Sequence, residues 1–165
     1  MKQSMHRVCL LLGSNIQPEK NLPLAVNLLQ KQLTILQTSS VWESKAVGSD
    51  GANILNAAML ALTSLEAKIL KEQVLRPLEA QLGRVRTSDK NAPRTIDIDI
   101  LLFDEQLLAP DLWQYAFRAV PMAEILPDYQ SKTGEFLKDA AVRLAQTTPI
   151  WVRQDVSIAP FPSAP

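Results

Sequence analysis

Residues 90–102 read Lys-Asn-Ala-Pro-Arg-Thr-Ile-Asp-Ile-Asp-Ile-Leu-Leu. Two carboxylates, Asp97 and Asp99, stand two residues apart inside an apolar stretch rich in β-branched residues, a composition that predicts a strand. Alternate side chains of a strand share a face, so the two acids point the same way, about 7 Å apart along the chain. Ile96, Ile98 and Ile100 then point the other way, into a core. Arg94 enters just ahead of the strand, after a turn fixed by Pro93. Two acids on one face with a guanidinium beside them suit a magnesium-bound polyphosphate, because Mg2+ takes a few carboxylate oxygens and fills its other positions with water and phosphate. Alone, an Asp-Ile-Asp tripeptide reads more simply as a solvated strand face. The surrounding residues decide between the two.

The rest of the chain interleaves strands and helices. Residues 7–12 predict a strand ending at Gly13, and 19–33 a helix with Leu22, Ala25, Val26, Leu28 and Leu29 at helical spacing. Pro23 is tolerable there only in the first turn. Residues 34–44 predict one strand, 45–52 a loop and 54–63 another strand. Ser64 is the expected N-cap of a long helix running toward Gly83, which Pro77 should kink or split. Residues 84–93 form a polar loop, 95–103 the strand of the acids, 108–129 short helical pieces, 135–146 a helix and 150–158 a final strand. This order is not the strict alternation of a parallel doubly wound sheet. It predicts an α+β fold, a mainly antiparallel sheet with helices packed on it. Residues 1–158 are expected to form one domain, followed by a proline-rich tail over 159–165.

Composition narrows the function. The 165 residues are 47% apolar and 5% aromatic, enough for a core of Leu, Ile, Val and Ala. Seventeen basic and 17 acidic residues give a formal net charge of zero, so no case arises for general nucleic-acid or membrane-surface binding. No apolar run approaches a membrane span, and residues 1–7 lack the apolar region of a signal peptide. The lone Cys9 lies in an apolar run and reads as a buried thiol in a reducing, cytoplasmic setting.

The run from Lys90 to Leu101 resembles the signature of the 6-hydroxymethyl-7,8-dihydropterin pyrophosphokinases of folate biosynthesis: a basic residue, a Gly or Ala, a small residue or Pro, an Arg, then Asp, aliphatic, Asp and two aliphatics. Lys90, Ala92, Pro93, Arg94, Asp97, Ile98, Asp99, Ile100 and Leu101 meet each fixed position. Leu12-Gly13-Ser14-Asn15, Ser39-Ser40-Val41-Trp42, Leu55-Asn56-Ala57, Gly83-Arg84-Val85-Arg86 and Pro121-Met122-Ala123-Glu124-Ile125 fall in the family's order. The resemblance spans roughly residues 7–145.

The resemblance implies a ferredoxin-like core in an α/β/α sandwich. It implies transfer of the terminal pyrophosphate of ATP to a reduced pterin's hydroxymethyl group with release of AMP. Asp97 and Asp99 would hold two Mg2+ ions and face solvent. Arg84 and Arg94 would act with them in catalysis. Arg84, Arg86, Arg94 and Ile100 would bind ATP, and Gly13, Ser44, Val47, Ile54, Asn56 and Phe117 the pterin. No nucleic-acid or membrane partner is implied. Three positions depart from the family. Ile54 stands where an aromatic residue usually precedes Leu-Asn-Ala, and Asn91 where bacterial enzymes often carry Trp. After the signature strand the family has a His and an Arg-x-Phe. Here His6 is the only histidine, and with Phe117 aligned the Arg position falls on Tyr115, leaving Arg118 as an adjacent substitute. Two other readings therefore stand beside the enzyme: a paralogue with a different acceptor, and a non-catalytic nucleotide- or pterin-binding protein.

Overall fold

The computed structural model describes residues 3–48 and 50–159. In chain order the elements are β1 (His6–Ser14), α1 (Pro18–Gln30), β2 (Thr34–Thr38), β3 (Trp42–Ser44), β4 (Ile54–Thr63), α2 (Ala67–Leu70), a π-helical turn (Lys71–Leu75), α3 (Arg76–Gln81), β5 (Asp97–Phe103), β6 (Gln106–Leu107), a 3-10 helix (Pro110–Trp113), α4 (Ala116–Ile125), α5 (Leu137–Ala145) and β7 (Ile150–Val152). The seven strands form one sheet in the order β6-β5-β1-β4-β3-β7, with β2 also paired to β4. Every pairing is antiparallel. The fold is α+β, and β1, β4 and β5 carry the ferredoxin-like centre.

Each face of the sheet has its own core. Val8, Leu10 and Leu12 of β1, with Ala57, Met59 and Ala61 of β4 and Ile98 of β5, pack under α1 and the α2–α3 segment. Cys9, Leu11, Ala58, Leu60 and Leu101 pack under α4 and α5. The helices match because Leu22, Ala25, Val26 and Leu29 of α1 are buried, as are Leu137, Ala140, Ala141 and Leu144 of α5. Both sets follow the i, i+3, i+4, i+7 spacing of one helix face. Each fully buried Leu contributes about 1.5–3 kcal/mol by leaving water.

Several expected boundaries shift for local reasons. α1 starts at Pro18, so Pro23 is its sixth residue, beyond the first turn where it was expected. There it has no N–H for the Glu19 carbonyl. Ser64 caps nothing: Leu65 N–H donates to Thr63 Oγ1 at 3.1 Å, the chain bends at Ser64 and Leu65, and α2 begins after an extended Glu66. Ahead of Pro77, the long helix splits at the π-helical turn, a usual response to a lost i→i−4 bond. The strand expected over 34–44 is two strands. Ser39 Oγ takes the Ala58 N–H at 2.8 Å, and the Ser40 N–H turns to Glu124 of α4. The last strand ends at Val152, where Arg153 binds Asp155, Glu19 and Glu43. Val156 and Ile158 then drop into the α1-side core. Of the tail, residues 160–165 lie outside the described part.

Candidate active site

The register of three neighbouring strands builds the centre of the site. Gly13 of β1 sits opposite Asn56 of β4 and opposite Asp97 of β5. The next row on the same face is Ala58, Leu11 and Asp99. Ile96 and Ile98 are buried on the other face, with Ile100 packed beside that core. A Cβ on Gly13 would come within 2.7 Å of Asn56 Oδ1. The glycine therefore lets the Asn56 amide lie across β1. Asn56 is 3% exposed, and its Nδ2 has no hydrogen-bond partner among the described residues. Buried amides normally find partners, so this donor stands ready for an external acceptor.

The turn after β1 holds the entry to β5. Asn15 Oδ1 accepts the Arg94 N–H at 2.7 Å, while the Arg94 carbonyl accepts from Asn15 N at 3.1 Å and Ile16 N at 3.3 Å. Arg94 is thereby aimed at Asp97: its Nη1 lies 3.0 Å from Oδ2. Arg84 Nη1 reaches Asp97 Oδ1 at 3.2 Å and also donates to the Ile96 carbonyl at 3.0 Å. Beneath this pair lies Glu79 of α3, a carboxylate 2% exposed. Its Oε1 accepts from Arg76 and Arg86, each at 2.8 Å, and its Oε2 from the Ile98 N–H at 2.8 Å. Burial pushes Glu79 up to about 7, against the opposing pull of that N–H and Arg76. Asp99 is also raised, first by burial and then by Asp97, and Arg118 Nη2 stands 3.4 Å from its Oδ2. The two strand acids do not face open solvent as expected. Their side chains are 19% and 35% exposed, because loop 84–94 and α4 fold over them.

Three cavities converge here. The first, about 410 Å³, is lined by Gly13, Val47, Ile54, Asn56 and Phe117 on its apolar side and by Lys90, Arg94, Asp97 and Asp99 on its polar side. The second, about 230 Å³, shares those last four residues and adds Arg76, Arg84 and Arg86. A third, about 410 Å³, combines Lys68, Lys71, Arg76 and Arg118 with Leu75 and Ile100. Asp99 lines all three.

Most of the residues singled out from sequence thus lie on these walls. Ser44 does not: it is 2% exposed, held in the ladder between Ile54 and Ile150, and Ala46 and Val47 line the cavity instead. Ile100 lines only the third cavity. Sequence reasoning missed Glu79, Arg76, Asn15 as an anchor, and Asp111. Glu79 had a signal, because it completes the helical stripe Leu75, Leu78, Leu82 and so is an acid on a core face. Asp111 had none, lying in a 3-10 helix without periodicity.

The chain is similar in sequence and in fold to known proteins. Over 126 residues the chain is 40% identical to the 2-amino-4-hydroxy-6-hydroxymethyldihydropteridine pyrophosphokinase of Bacillus subtilis, covering 69% of this chain and 74% of the relative. The enzyme of that name from Pseudomonas aeruginosa is 31% identical over 147 residues, covering 82% and 90%. With the Campylobacter jejuni enzyme, 40% identical over 100 residues, the match spans 62% of the relative's length. Among solved structures, wild-type Plasmodium falciparum HPPK-DHPS with SDX-DHP superposes with a TM-score of 0.66 at 10% identity, over 88% of this chain and 45% of that one, a likeness of fold. The family model for 7,8-dihydro-6-hydroxymethylpterin-pyrophosphokinase matches residues 9–127. The chain belongs to the 7,8-dihydro-6-hydroxymethylpterin-pyrophosphokinase family.

Proposed function

We propose that this chain transfers the terminal pyrophosphoryl group of ATP to the hydroxymethyl oxygen of 6-hydroxymethyl-7,8-dihydropterin and releases AMP, a step of folate synthesis carried out in the cytoplasm by a single domain over residues 1–158. The observation that carries it is the meeting of an amide-lined apolar cavity and an arginine-lined cavity at Asp97 and Asp99. The hydroxyl oxygen attacks the β-phosphorus, the bond from that phosphorus to the oxygen bridging to the α-phosphorus breaks so that this oxygen leaves with AMP, and the hydroxyl proton passes to Asp97 or to solvent. Such transfers depend on positioning and on neutralising charge.

The residues divide the work. Asn56 supplies an unpartnered N–H to the pterin's amide-like edge, with Ile54 and Phe117 lining the apolar walls. Arg84, Arg86 and Arg94 offer planar donor forks to phosphate oxygens. Without a polyphosphate, Asp97 and Glu79 hold those forks in place; the incoming phosphates exchange for the carboxylates as partners. The third cavity, with Ile100 and Leu75, takes the nucleoside end. Asp97 and Asp99 offer oxygen donors alone, and no cluster of three or more His, Cys, Asp or Glu suited to a metal occurs among the described residues. That donor set fits Mg2+, which Asp97 and Asp99 would hold as two ions, with the remaining positions left to phosphate oxygens and water. When bound, they would neutralise charge on the transferring group. No helix among the described residues is long and apolar enough to cross a membrane.

AMP release from magnesium-ATP, measured with and without 6-hydroxymethyl-7,8-dihydropterin, tests the reading. AMP formed only with the pterin supports it. Magnesium-dependent ATP binding without pterin-dependent AMP would move the assignment to another acceptor or to a binding protein.

A further inference from the structure

β7 is an edge strand of the sheet, and it lies beyond residue 127, the last that the family model matches. It pairs with β3, which sets Trp151 opposite Glu43 and Ile150 opposite Ser44. On its other side β3 lies against the part of β4 that faces the first cavity: Trp42 is opposite Asn56, and Ser44 is opposite Ile54. Just past the end of β3, Ala46 and Val47 line that cavity together with Ile54 and Asn56. The position of β3 therefore sets where the loop wall of the cavity begins.

Glu43 is the point at which β3 is gripped. Its side chain is 17% exposed. Oε2 accepts the Trp151 indole N–H at 2.7 Å, and Oε1 lies 3.4 Å from Arg153 Nη1. The main-chain N–H of Arg153 donates to the Val41 carbonyl at 2.8 Å, just ahead of β3. Its Nε and Nη2 make a two-bond fork on Asp155, at 2.8 and 2.7 Å, which fixes the guanidinium plane. Nη2 also reaches Glu19 Oε1 at 3.3 Å, on the second residue of α1. The turn ahead of α1 carries Asn15, whose side chain holds the Arg94 N–H. One guanidinium thus spans two segments that lead into the cleft, β3 toward the loop wall and the start of α1 toward Arg94.

Surface ion pairs add little to the stability of a fold. Three carboxylates gathered on Arg153 at a sheet edge serve spacing better than stability, because a planar fork dictates where each partner stands. We infer that Glu43, held by Trp151 and Arg153, is a positioning residue for the acceptor: the segment 150–155 fixes β3, and through β3 the Ala46 and Val47 wall that the pterin meets. The inference rests on the functional reading above. Glu43 touches no substrate in this scheme and acts only through the loop. Losing it leaves Arg153 on Glu19, so the Arg94 side of the cleft keeps its anchor.

The test is steady-state AMP release with pterin and magnesium-ATP varied separately. Glu43→Ala is expected to raise KM for the pterin about 5–20-fold, with kcat and KM for ATP within about twofold of wild type. The melting temperature should stay within about 2 °C of wild type. Glu43→Gln keeps an acceptor for the Trp151 N–H and should recover part of the loss, a rescue that a general loosening of the fold would not show. Trp151→Phe removes only the indole N–H, should raise the same KM to a smaller extent, and carries the test should the Ala variant fail to fold. If the wild type releases AMP only with the pterin and the folded variants keep its pterin KM, the inference is overturned and the functional reading stands. If the wild type gives no pterin-dependent AMP, both fall.

Discussion

Gly13, Ile54 and Asn56 line the proposed acceptor cavity from strand positions whose register is fixed by ladders, β1 with β4 and β5 and, for Ile54, β4 with β3. Arg84, Arg86 and Arg94 line the proposed phosphate cavity from the stretch between α3 and β5, which has no ladder. Beyond the hydrogen bonds from Asn15 and Ile16 that fix Arg94 at its end, what orders that stretch is charge: Asp97 between Arg84 and Arg94, and Glu79 between Arg76 and Arg86. The contrast separates two ways of preparing a site. A flat ring needs a surface of constant shape, which sheet register supplies. A polyphosphate needs cations that can change partner, and a loop held by ion pairs lies at the low-stability end of a fold, where such exchange is accessible.

Four substitutions probe that contrast, and a fifth serves as a control. Asp97→Ala or Asp99→Ala removes an acid at the junction of the two halves and should lower turnover by about 10³-fold or more. Asp97→Ala should also lower the melting temperature, because it leaves two part-buried guanidinium groups unpaired. AMP release and thermal unfolding read both effects, and near-normal turnover in either variant would sink the metal assignment.

Asn56→Leu acts on the strand half alone. It should raise the acceptor KM by about 10–100-fold through one lost hydrogen bond, leaving ATP affinity unchanged. The free protein should be no less stable, since Nδ2 has no protein partner to lose. An equal drop in ATP affinity would show that the two halves are not built independently.

Glu79→Gln acts on the charged half. The Glu79 carboxyl is lifted from 4.5 to about 7 in the fold. The folded protein therefore holds that proton more tightly than the unfolded chain. This group's contribution to stability is greatest below about 4.5 and falls as pH rises to about 7. Urea unfolding at about pH 5 and about pH 8 should show the fall in wild type and its loss in Glu79→Gln. ATP affinity should drop as Arg86 loosens, with pterin affinity unchanged. The same pH dependence in the variant would place the titration elsewhere.

The smallest effect lies far from the cleft. His6 is raised above 6.5 chiefly by its hydrogen bond to Asp104, and Glu66 faces its other nitrogen at 3.2 Å. Its stabilising charge is fully present below 6.5 and fades as pH climbs through the raised value. His6→Ala should lower the melting temperature by no more than about 2 °C at about pH 5.5, and not at about pH 8.5. Turnover should be untouched, which serves as a control that cleft effects are local.

Much of this was legible before any tertiary structure. Alternation in β5 separated Ile96 and Ile98 from Asp97 and Asp99, and helical spacing marked the buried faces of α1 and α5. The signature run and its companion segments named the family and most of the residues that line the cavities. Ser44 lies off the cavity wall because a backbone ladder, invisible in the chain, holds it inside the sheet. The break at Ser39 and Ser40 was missed because it depends on Ala58, 19 residues from Ser39, and on Glu124, 84 residues from Ser40.

The division follows from the range of the forces. Periodicity of side chains is a property of neighbouring residues, so the sequence alone determined which face of each strand and helix turns inward and put two acids together on one strand. Register and ion pairing join residues distant in the chain. Only the folded sheet decided that Gly13 lies between Asn56 and Asp97, and only packing brought Arg118 from α4 to Asp99. A buried charge is tolerated where partners surround it, and for Glu79 those partners came from three separate segments.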